Sequence, residues 1–518
     1  MSSPPTSQTA KHPHRFIIVI PVADRPQHIQ ACLDSLSTLL RRFPYAQPID
    51  VVIADDSADS VNVAANQAVA ARSSNPRMRV IHFGPDEQFA LSQPLQAMLP
   101  GVLGSAAREK FGHKGQGVMR NIAYLKAAQM VNDAPDQHTL IWSLDSDQEF
   151  RVNLAEDNGY VIDYFGALDQ IFSRTDALLL TGKVVGDPPV SPAVMTRNFL
   201  DDVIGFLRQT LANVPACACQ HHETAAHRTG EAAYHDMADL FGFTPAVAAY
   251  RYPCTLAGEH SESDCFAHFA ARLNSFFYGE HPTRISYYQP SDALESVQAA
   301  RTVYAGNYVF RPAALKYFIP FAALRLRMSG PTLGRLIKAE IGPRFVSANL
   351  PMLHKRTVES GGQAEFRPGI DTTQQDIDMS GEFERQFYGD VMLFTIETLT
   401  TERRLANADF AETLDTVRAE MLEKYNTRQR DILEKLQMLV ALLHNPAHWW
   451  NHTPKQAAAL AHFNSFVANI QRNFGADSTG HARINAAAPW EKWRADLSEA
   501  IARYPADRQA WEQVLCAG

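Results

Sequence analysis

Short apolar runs that stop on proline or aspartate recur through the first third of this chain, with helix-spaced segments between them. FIIVIP (16–21) closes on Pro21, IDVVIA (49–54) on Asp55 and Asp56, and MRVIHF (78–83) follows as a third. Leu140–Leu144 then stops on Asp145-Ser146-Asp147, and ALLLTGKVV covers 177–185. Near-continuous apolar runs of this length are the pattern of strands buried on both faces. Helical segments are predicted between them over about 27–42, 59–72, 118–131 and 162–172, and 84–113, with its prolines and glycines, reads as a looser segment crossing the sheet edge. In the first, Ile29, Cys32, Leu33, Leu36 and Leu40 share one face. Strand–helix alternation of this kind requires an α/β fold with a mainly parallel sheet flanked by helices.

At 518 residues the chain is too long for a single core. Residues 1–14 are Pro/Ser-rich and polar and read as a disordered tail. The alternation fills 15–185. Residues 186–300 read as an irregular, partly helical insertion, a candidate for the acceptor side of a site. A strand–helix–strand pattern over 301–379 is predicted to return to the same sheet. From 380 to 518 the apolar spacing is i, i+3/i+4 throughout, which predicts an additional C-terminal α-helical domain. It is a candidate for capping a site or for homo-oligomer contact. Trp449, Trp450, Trp490 and Trp493 are expected in packing there rather than stacked on sugar rings.

A formal charge of −8 with no basic run argues against nucleic acid and against a polybasic membrane anchor. No window approaches ~18 uninterrupted apolar residues, so no integral membrane segment is expected. Without a signal-peptide pattern, and with six cysteines in so long a chain, the expectation is a reduced, cytoplasmic protein.

Ligands of doubly wound sheets sit beyond the C-terminal ends of the strands. The residues there are Pro21-Val22-Ala23-Asp24-Arg25 after the first strand, Asp55-Asp56 after the second and Asp145-Ser146-Asp147 after the fourth. Lys114-Gly115-Gln116-Gly117 leads a helix carrying Arg120-Asn121. Side chains at i and i+2 of an extended segment project to the same side, so Asp145 and Asp147 can converge on one hard cation. Acceptors for a base and ribose, cations for a diphosphate and a metal site are the parts a nucleotide-diphosphate ligand requires. The glycines of 112–117 do not fit a dinucleotide fingerprint, and no P-loop is present.

These motifs, in this order, resemble glycosyltransferase family 2, enzymes of the GT-A fold. The resemblance covers about 16–185, with a weaker continuation over 301–356. It implies that 15–185 is the nucleotide-sugar-binding half of a GT-A domain, and 301–379 its return with acceptor and metal-loop elements. Pro21, Ala23 and Arg25 would then lie by the base, and Asp55 or Asp56 would accept hydrogen bonds from base or ribose. Arg120-Asn121 would lie near the diphosphate, and Asp145 near the ribose or a metal-bound water. Asp147 would bind Mn²⁺ or Mg²⁺ directly, and His354 of LPMLHKR resembles a further metal ligand. Lys355 or Arg356 would neutralise phosphate. The implied activity is transfer of a hexosyl or related group from a nucleotide-diphosphate sugar to a soluble small-molecule or glycan acceptor. A nucleotidyltransferase and a non-catalytic nucleotide-sugar scaffold are the alternatives.

Gly306, in Tyr304-Ala305-Gly306-Asn307-Tyr308, reads either as a point of close approach for substrate or as an ordinary turn glycine. The general base has no firm candidate; Asp202 and Asp264 are the weak ones. Cys217, Cys219, His221 and His222, then Cys254, His260, Cys265 and His268, raise a second metal question. C-x-C-x-H-H is not a finger spacing, so buried free cysteines among surface histidines are expected.

Overall fold

The computed structural model describes residues 13–135, 138–154, 158–213, 215–221, 252–360, 363–365, 371–373, 376–402 and 410–517. Its centre is a nine-stranded mixed sheet. The strands are β1 (Arg15–Val22), β2 (Ile49–Asp55), β3 (Met78–Phe83), β4 (Thr139–Leu144), β5 (Gln148–Glu149), β6 (Leu179–Gly186), β7 (Gln298–Ala299), β8 (Asn307–Phe310) and β9 (Phe345–His354). Their order is β3-β2-β1-β4-β8-β6-β9-β5, with β7 paired to β9. β1 pairs in parallel with both β2 and β4, and β2 with β3. β8 runs antiparallel between β4 and β6, and β9 lies parallel to β6. The segment after residue 301 therefore inserts two strands into the sheet begun by residue 15.

β1 shows why the apolar runs are strands. Phe16, Ile18 and Ile20 pack on one face with α1 (Pro26–Arg42) and α6 (Tyr164–Arg174), whereas Ile17 and Val19 face α5 (Gln116–Asn132). Both faces are dry, so no polar alternation is needed. α1 starts with Pro26 in its first turn and ends at Phe43, just before Pro44. α2 (Ser60–Ser73) is capped by the Asp59 carboxylate, which accepts from the Val61 N–H.

Two expectations need correction. Residues 84–113, read as a loose crossing, hold helix α3 (Pro85–Gln96) and the single turn α4 (Pro100–Leu103). Pro85 and the acidic Asp86 and Glu87 start α3, and the buried Gln88 amide donates to the Asp55 and Phe83 carbonyls at the strand ends. The internal Pro94 hides this helix from a propensity reading. At the N-terminus, residues 1–12 of the expected tail lie outside the described residues. His14 is buried and pairs with Asp169 at 2.7 Å.

After β6 come α7 (Pro192–Ala212), α8 (Glu262–Arg272) and, between β8 and β9, α9 (Ser329–Ile341). The C-terminal helices are α10 (Ser380–Thr401), α11 (Phe410–Leu443), α12 (Ala457–Phe474), α13 (Thr479–Asn485) and α14 (Ala487–Ala517). One hydrophobic cluster runs from Ile17 and Val19 through α5 and α7 into these helices, so they continue the core of that sheet face. The tryptophans pack within it: Trp450 stacks on Phe266 with centroids 5.2 Å apart, and Trp493 on Tyr388 at 4.9 Å. Among the described residues, no helix is long and apolar enough to cross a membrane.

His481 of α13 is buried against Phe383, with Arg428 nearby. Burial first, then the Arg428 charge, pushes its pKa down to about 4 from 6.5. The unfolded chain therefore binds the extra proton between those values. The neutral ring's contribution is complete above pH 6.5 and is lost as pH falls toward 4. His481→Phe is expected to flatten the pH dependence of stability across that window by up to about 3 kcal/mol. Urea unfolding of both proteins at several pH values checks it; parallel pH curves would refute it.

Candidate active site

β1 and β4 are neighbours, yet the chain winds from β1 toward β3 on one side and from β4 toward β6 on the other. The crevice at such a reversal is where ligands bind in doubly wound sheets. A cavity of about 590 Å³ opens there. Pro21, Ala23 and Arg25 line it from the end of β1, Asp56 from the end of β2, and Asp145-Ser146-Asp147 from the end of β4. Gly115, Gln116 and Arg120 line it from the start of α5, and Arg356 from beyond β9. Gly115 has φ +95°, which admits the chain to α5 at an angle that L side chains rarely adopt.

Asp147 is buried among cations. Arg25 Nη1 lies 3.2 Å and Arg356 Nη1 3.5 Å from Oδ2, and His354 Nε2 lies 3.6 Å from Oδ1. Burial alone would raise its carboxyl pKa; His354, then Arg25 and Arg356, outweigh it and hold the group well below the usual range. At 3.6 Å the imidazole is a charge contact rather than a hydrogen bond. Oδ1 is accordingly buried with no hydrogen-bond partner, as are Arg25 Nε and Arg356 Nε. His354 Nδ1 lies 2.6 Å from the Asp187 carbonyl, which can only accept. Nδ1 therefore carries a proton, and Nε2 is the ring nitrogen that faces Asp147. The Lys355 N–H donates to the Asp147 carbonyl at 2.9 Å and ties the two loops together.

Asp145 is oriented separately. Arg120 Nη2 contacts its Oδ1, and Gln116 Nε2 donates to the same oxygen at 2.6 Å. Gly306 is the reason this carboxylate fits. A Cβ there would lie 2.3 Å from Asp145 Oδ2 and 2.8 Å from its Cγ. The close approach at Gly306 is thus made by a side chain of this protein. Gly306→Ala is expected to cost about 1–3 kcal/mol and to push Asp145 off Arg120. Thermal unfolding with nucleotide titration tests this; wild-type stability together with wild-type affinity would exclude it.

The remaining sequence candidates separate. Asp55 is fully buried and turned from the cavity: its oxygens accept from the Ser57 N–H, Asn66 and His82. Asp56 lines the cavity and forms a buried pair with Lys114 at 2.6 Å, in which burial pushes the acid's pKa up and the amine's down. Asn121 bridges the Val102 and Ile319 backbones and does not reach the cavity. Lys355 faces Glu149 over a different hollow, whereas Arg356 enters the main one. Asp202 and Asp264 are corrected as general-base candidates. Asp202 is a buried partner of Arg284 at 2.9 Å, and Asp264 closes the N-terminal capping box of α8 and pairs with Lys455. Neither lines the cavity.

The sequence reading missed Arg325, Arg327, Glu382, Arg385 and Gln386, which line the cavity from the loop before α9 and from α10. The only local signal is the pair of arginines in Arg325-Leu326-Arg327 before a helix. Six lining arginines (25, 120, 325, 327, 356, 385) face four lining carboxylates (56, 145, 147, 382), so the cavity is net cationic in an acidic chain. Backbone strain gathers here as well. Among the described residues, the non-glycine positions with left-handed φ are Asp24, His113, Phe321, Arg325 and Met328. Four of them line the cavity, and Asp24 sits between Ala23 and Arg25, which also do. Such conformations cost about 1–3 kcal/mol each and collect at ligand sites.

No protein-family model matches the chain, and no curated protein matches it. Among solved structures, S. aureus TarS aligns with 88% of this chain and 55% of its own length, at 12% identity and a TM-score of 0.30. The apo form of mouse xyloside xylosyltransferase 1 aligns with 65% of this chain and 78% of its own, at 10% identity and a TM-score of 0.24. This chain spans about half the length of TarS. Both superpositions are loose.

Proposed function

We propose that this chain is a GT-A-type glycosyltransferase. It moves a sugar from a nucleotide-diphosphate donor to a small-molecule or glycan acceptor, with Mn²⁺ or Mg²⁺. The observation that carries the reading is the net-cationic cavity at the sheet's reversal point, lined by Asp147, whose orphaned carboxylate oxygen faces the buried His354 Nε2. A volume of about 590 Å³ falls in the range of small-molecule sites.

Arg25, Arg120, Arg325 and Arg356 are placed to take phosphate oxygens, for which planar guanidinium forks are suited. Arg327 is already paired with Glu382 at 2.8 Å and anchors α10 to the cavity wall. Pro21, Val22 and Ala23 offer an apolar shelf for a base, and Asp56, held by Lys114, an acceptor beside it. Asp145, fixed by Arg120 and Gln116, presents its carboxylate to a ribose.

Asp147 Oδ1 and His354 Nε2 fit a divalent ion, since both are buried and directed at one another across 3.6 Å. Such an ion, when bound, acts as a Lewis acid that stabilises charge on a departing diphosphate. An imidazole ligand favours manganese over magnesium. With a diphosphate bound, Arg25 and Arg356 would have phosphate as well as Asp147 for their counter-charge.

Thermal shift and calorimetry with nucleoside diphosphates, with and without Mn²⁺, test the reading. A nucleotide is expected to raise the melting temperature in a metal-dependent way, by mass action on the native state. Arg356→Ala is expected to weaken that binding by about tenfold to a hundredfold, the loss of one charge-assisted contact. If no nucleotide shifts the melting temperature in either metal, the proposal fails.

A further inference from the structure

Away from this cavity, three buried thiols and an imidazole meet where the chain leaves α7 and enters α8. The Cys219 and Cys254 Sγ atoms and one ring nitrogen of His260 lie within 4.8 Å of one another. The Cys219 thiol also belongs to a second group at that spacing, with Cys265 Sγ and a Glu262 oxygen. Cys219, Cys254 and Cys265 are buried and no disulfide joins them, whereas Cys217 and Cys516 are exposed. Buried free cysteines were the sequence expectation; their convergence was not.

The backbone builds this meeting point. The Cys219 N–H donates to the His260 carbonyl at 3.0 Å, Glu262 N–H to Cys217 at 3.0 Å, and Cys254 N–H to His221 at 2.7 Å. Segments 217–221, 254–260 and the first turn of α8 are thereby laced together, each contributing a thiol. The His221 N–H points at Cys219 Sγ at 3.3 Å, the kind of donor that stabilises a thiolate. His260 Nδ1 lies 2.9 Å from the Gly258 carbonyl, which can only accept. The ring proton is therefore on Nδ1, and Nε2 faces Cys254 Sγ at 3.2 Å. Glu262 is the poorer fourth donor, because its carboxylate is already held: Oε1 accepts from Asn213 at 2.5 Å and from the Gln220 N–H at 3.0 Å, and Oε2 lies 3.4 Å from His221 Nε2.

We infer that Cys219, Cys254, Cys265 and His260 form a closed structural Zn²⁺ site. Three thiolates and an imidazole are a soft, four-ligand set of the kind that selects zinc and leaves no open position for chemistry. Cys254 and His260 follow the stretch 222–251, which lies outside the described residues, so the ion would staple its two ends. It would also hold α8, whose Phe266 packs on Trp450 and Phe463, against the C-terminal helices.

The test uses the full chain expressed with added zinc and purified without chelators. Elemental analysis is expected to find one equivalent of zinc per chain. Cys254→Ser and Cys265→Ser should each lose it, while Cys217→Ser, Cys516→Ser and Asp147→Asn keep it. The last variant separates this site from the cavity. Chelation should lower the melting temperature, and Zn²⁺ alone should restore it. Cobalt exchanged into the wild-type chain should give a thiolate charge-transfer band and the strong visible bands of a tetrahedral ion. Wild-type protein with no zinc and no cobalt–thiolate band overturns the site, even if the serine variants do not fold. So does a Cys254→Ser chain that retains its zinc, or a disulfide between any two of the three thiols in a non-reducing digest.

Discussion

Asp147→Asn is expected to lower donor turnover by about 10³-fold, the several kcal/mol that a Lewis-acid contact to a departing diphosphate supplies. The substitution keeps the side chain's volume and removes its charge. Two effects should follow and can be separated. First, the group that faces His354 Nε2 loses its anionic oxygen, so the Mn²⁺ concentration for half-maximal activity should rise steeply. Second, Arg25, Arg356 and His354 lose the carboxylate on which they converge. Removing one member of a buried ion cluster costs about 3–5 kcal/mol. The variant's melting temperature should therefore fall in the absence of ligand, and a bound diphosphate should recover part of the loss by supplying the missing negative charge. His354→Gln should share the metal effect without that recovery, because it would remove the other proposed ligand and leave the arginines paired. An Asp147→Asn protein that turns over donor within tenfold of wild type in excess Mn²⁺ would sink the assignment of this carboxylate.

Asp202→Ala should fail in the opposite way, with stability collapsing and chemistry spared. The Asp202 carboxylate accepts from Arg284 Nε at 2.9 Å and Nη2 at 3.1 Å, and from the Thr283 hydroxyl at 2.7 Å. Both members of the pair are essentially inaccessible, with side chains 0% and 1% exposed. Truncating the acid strands a guanidinium in the core between α7 and the 281–284 segment, which costs about 3–5 kcal/mol. That is a large share of the 5–15 kcal/mol typical of a folded domain. Denaturant unfolding should show the unfolding free energy falling by this amount and the midpoint falling with it. The folded fraction should keep wild-type kcat and an unchanged pH–rate profile. A general base would behave otherwise, so a lost acidic limb in that profile with unaltered stability would restore Asp202 as a catalytic candidate.

These two aspartates illustrate what a sequence can and cannot say about a site. Asp145 and Asp147 were legible because a buried parallel strand has to end somewhere, and the polar residues just past its end face the ligand crevice. Asp202 carried no comparable signal. It sits on α7, where an acid looks the same whether it is solvated or paired with an arginine 82 positions later. Asp55 and Asp56 make the point at closer range. Consecutive residues at a strand end project to opposite sides, and only the packing shows that Asp55 turns toward His82 and Asn66 while Asp56 enters the cavity. The arginines at 325, 327 and 385 come from a loop and a helix distant in the chain, and no local pattern marks them as neighbours of Asp147.

By itself the sequence determined the α/β class, the central strands and the helical character of the C-terminal quarter. All of these depend on periodicity and on residues close along the chain. The tertiary structure alone decided which acids share a cavity, that Gly306 makes room for Asp145, that the C-terminal helices continue the core of the sheet, and that three cysteines and a histidine converge. Each of these is a contact between segments tens to hundreds of residues apart. Such contacts are set by how buried faces pack and by which charges must be paired once water is excluded. That is a property of the folded chain as a whole, which no window of sequence contains.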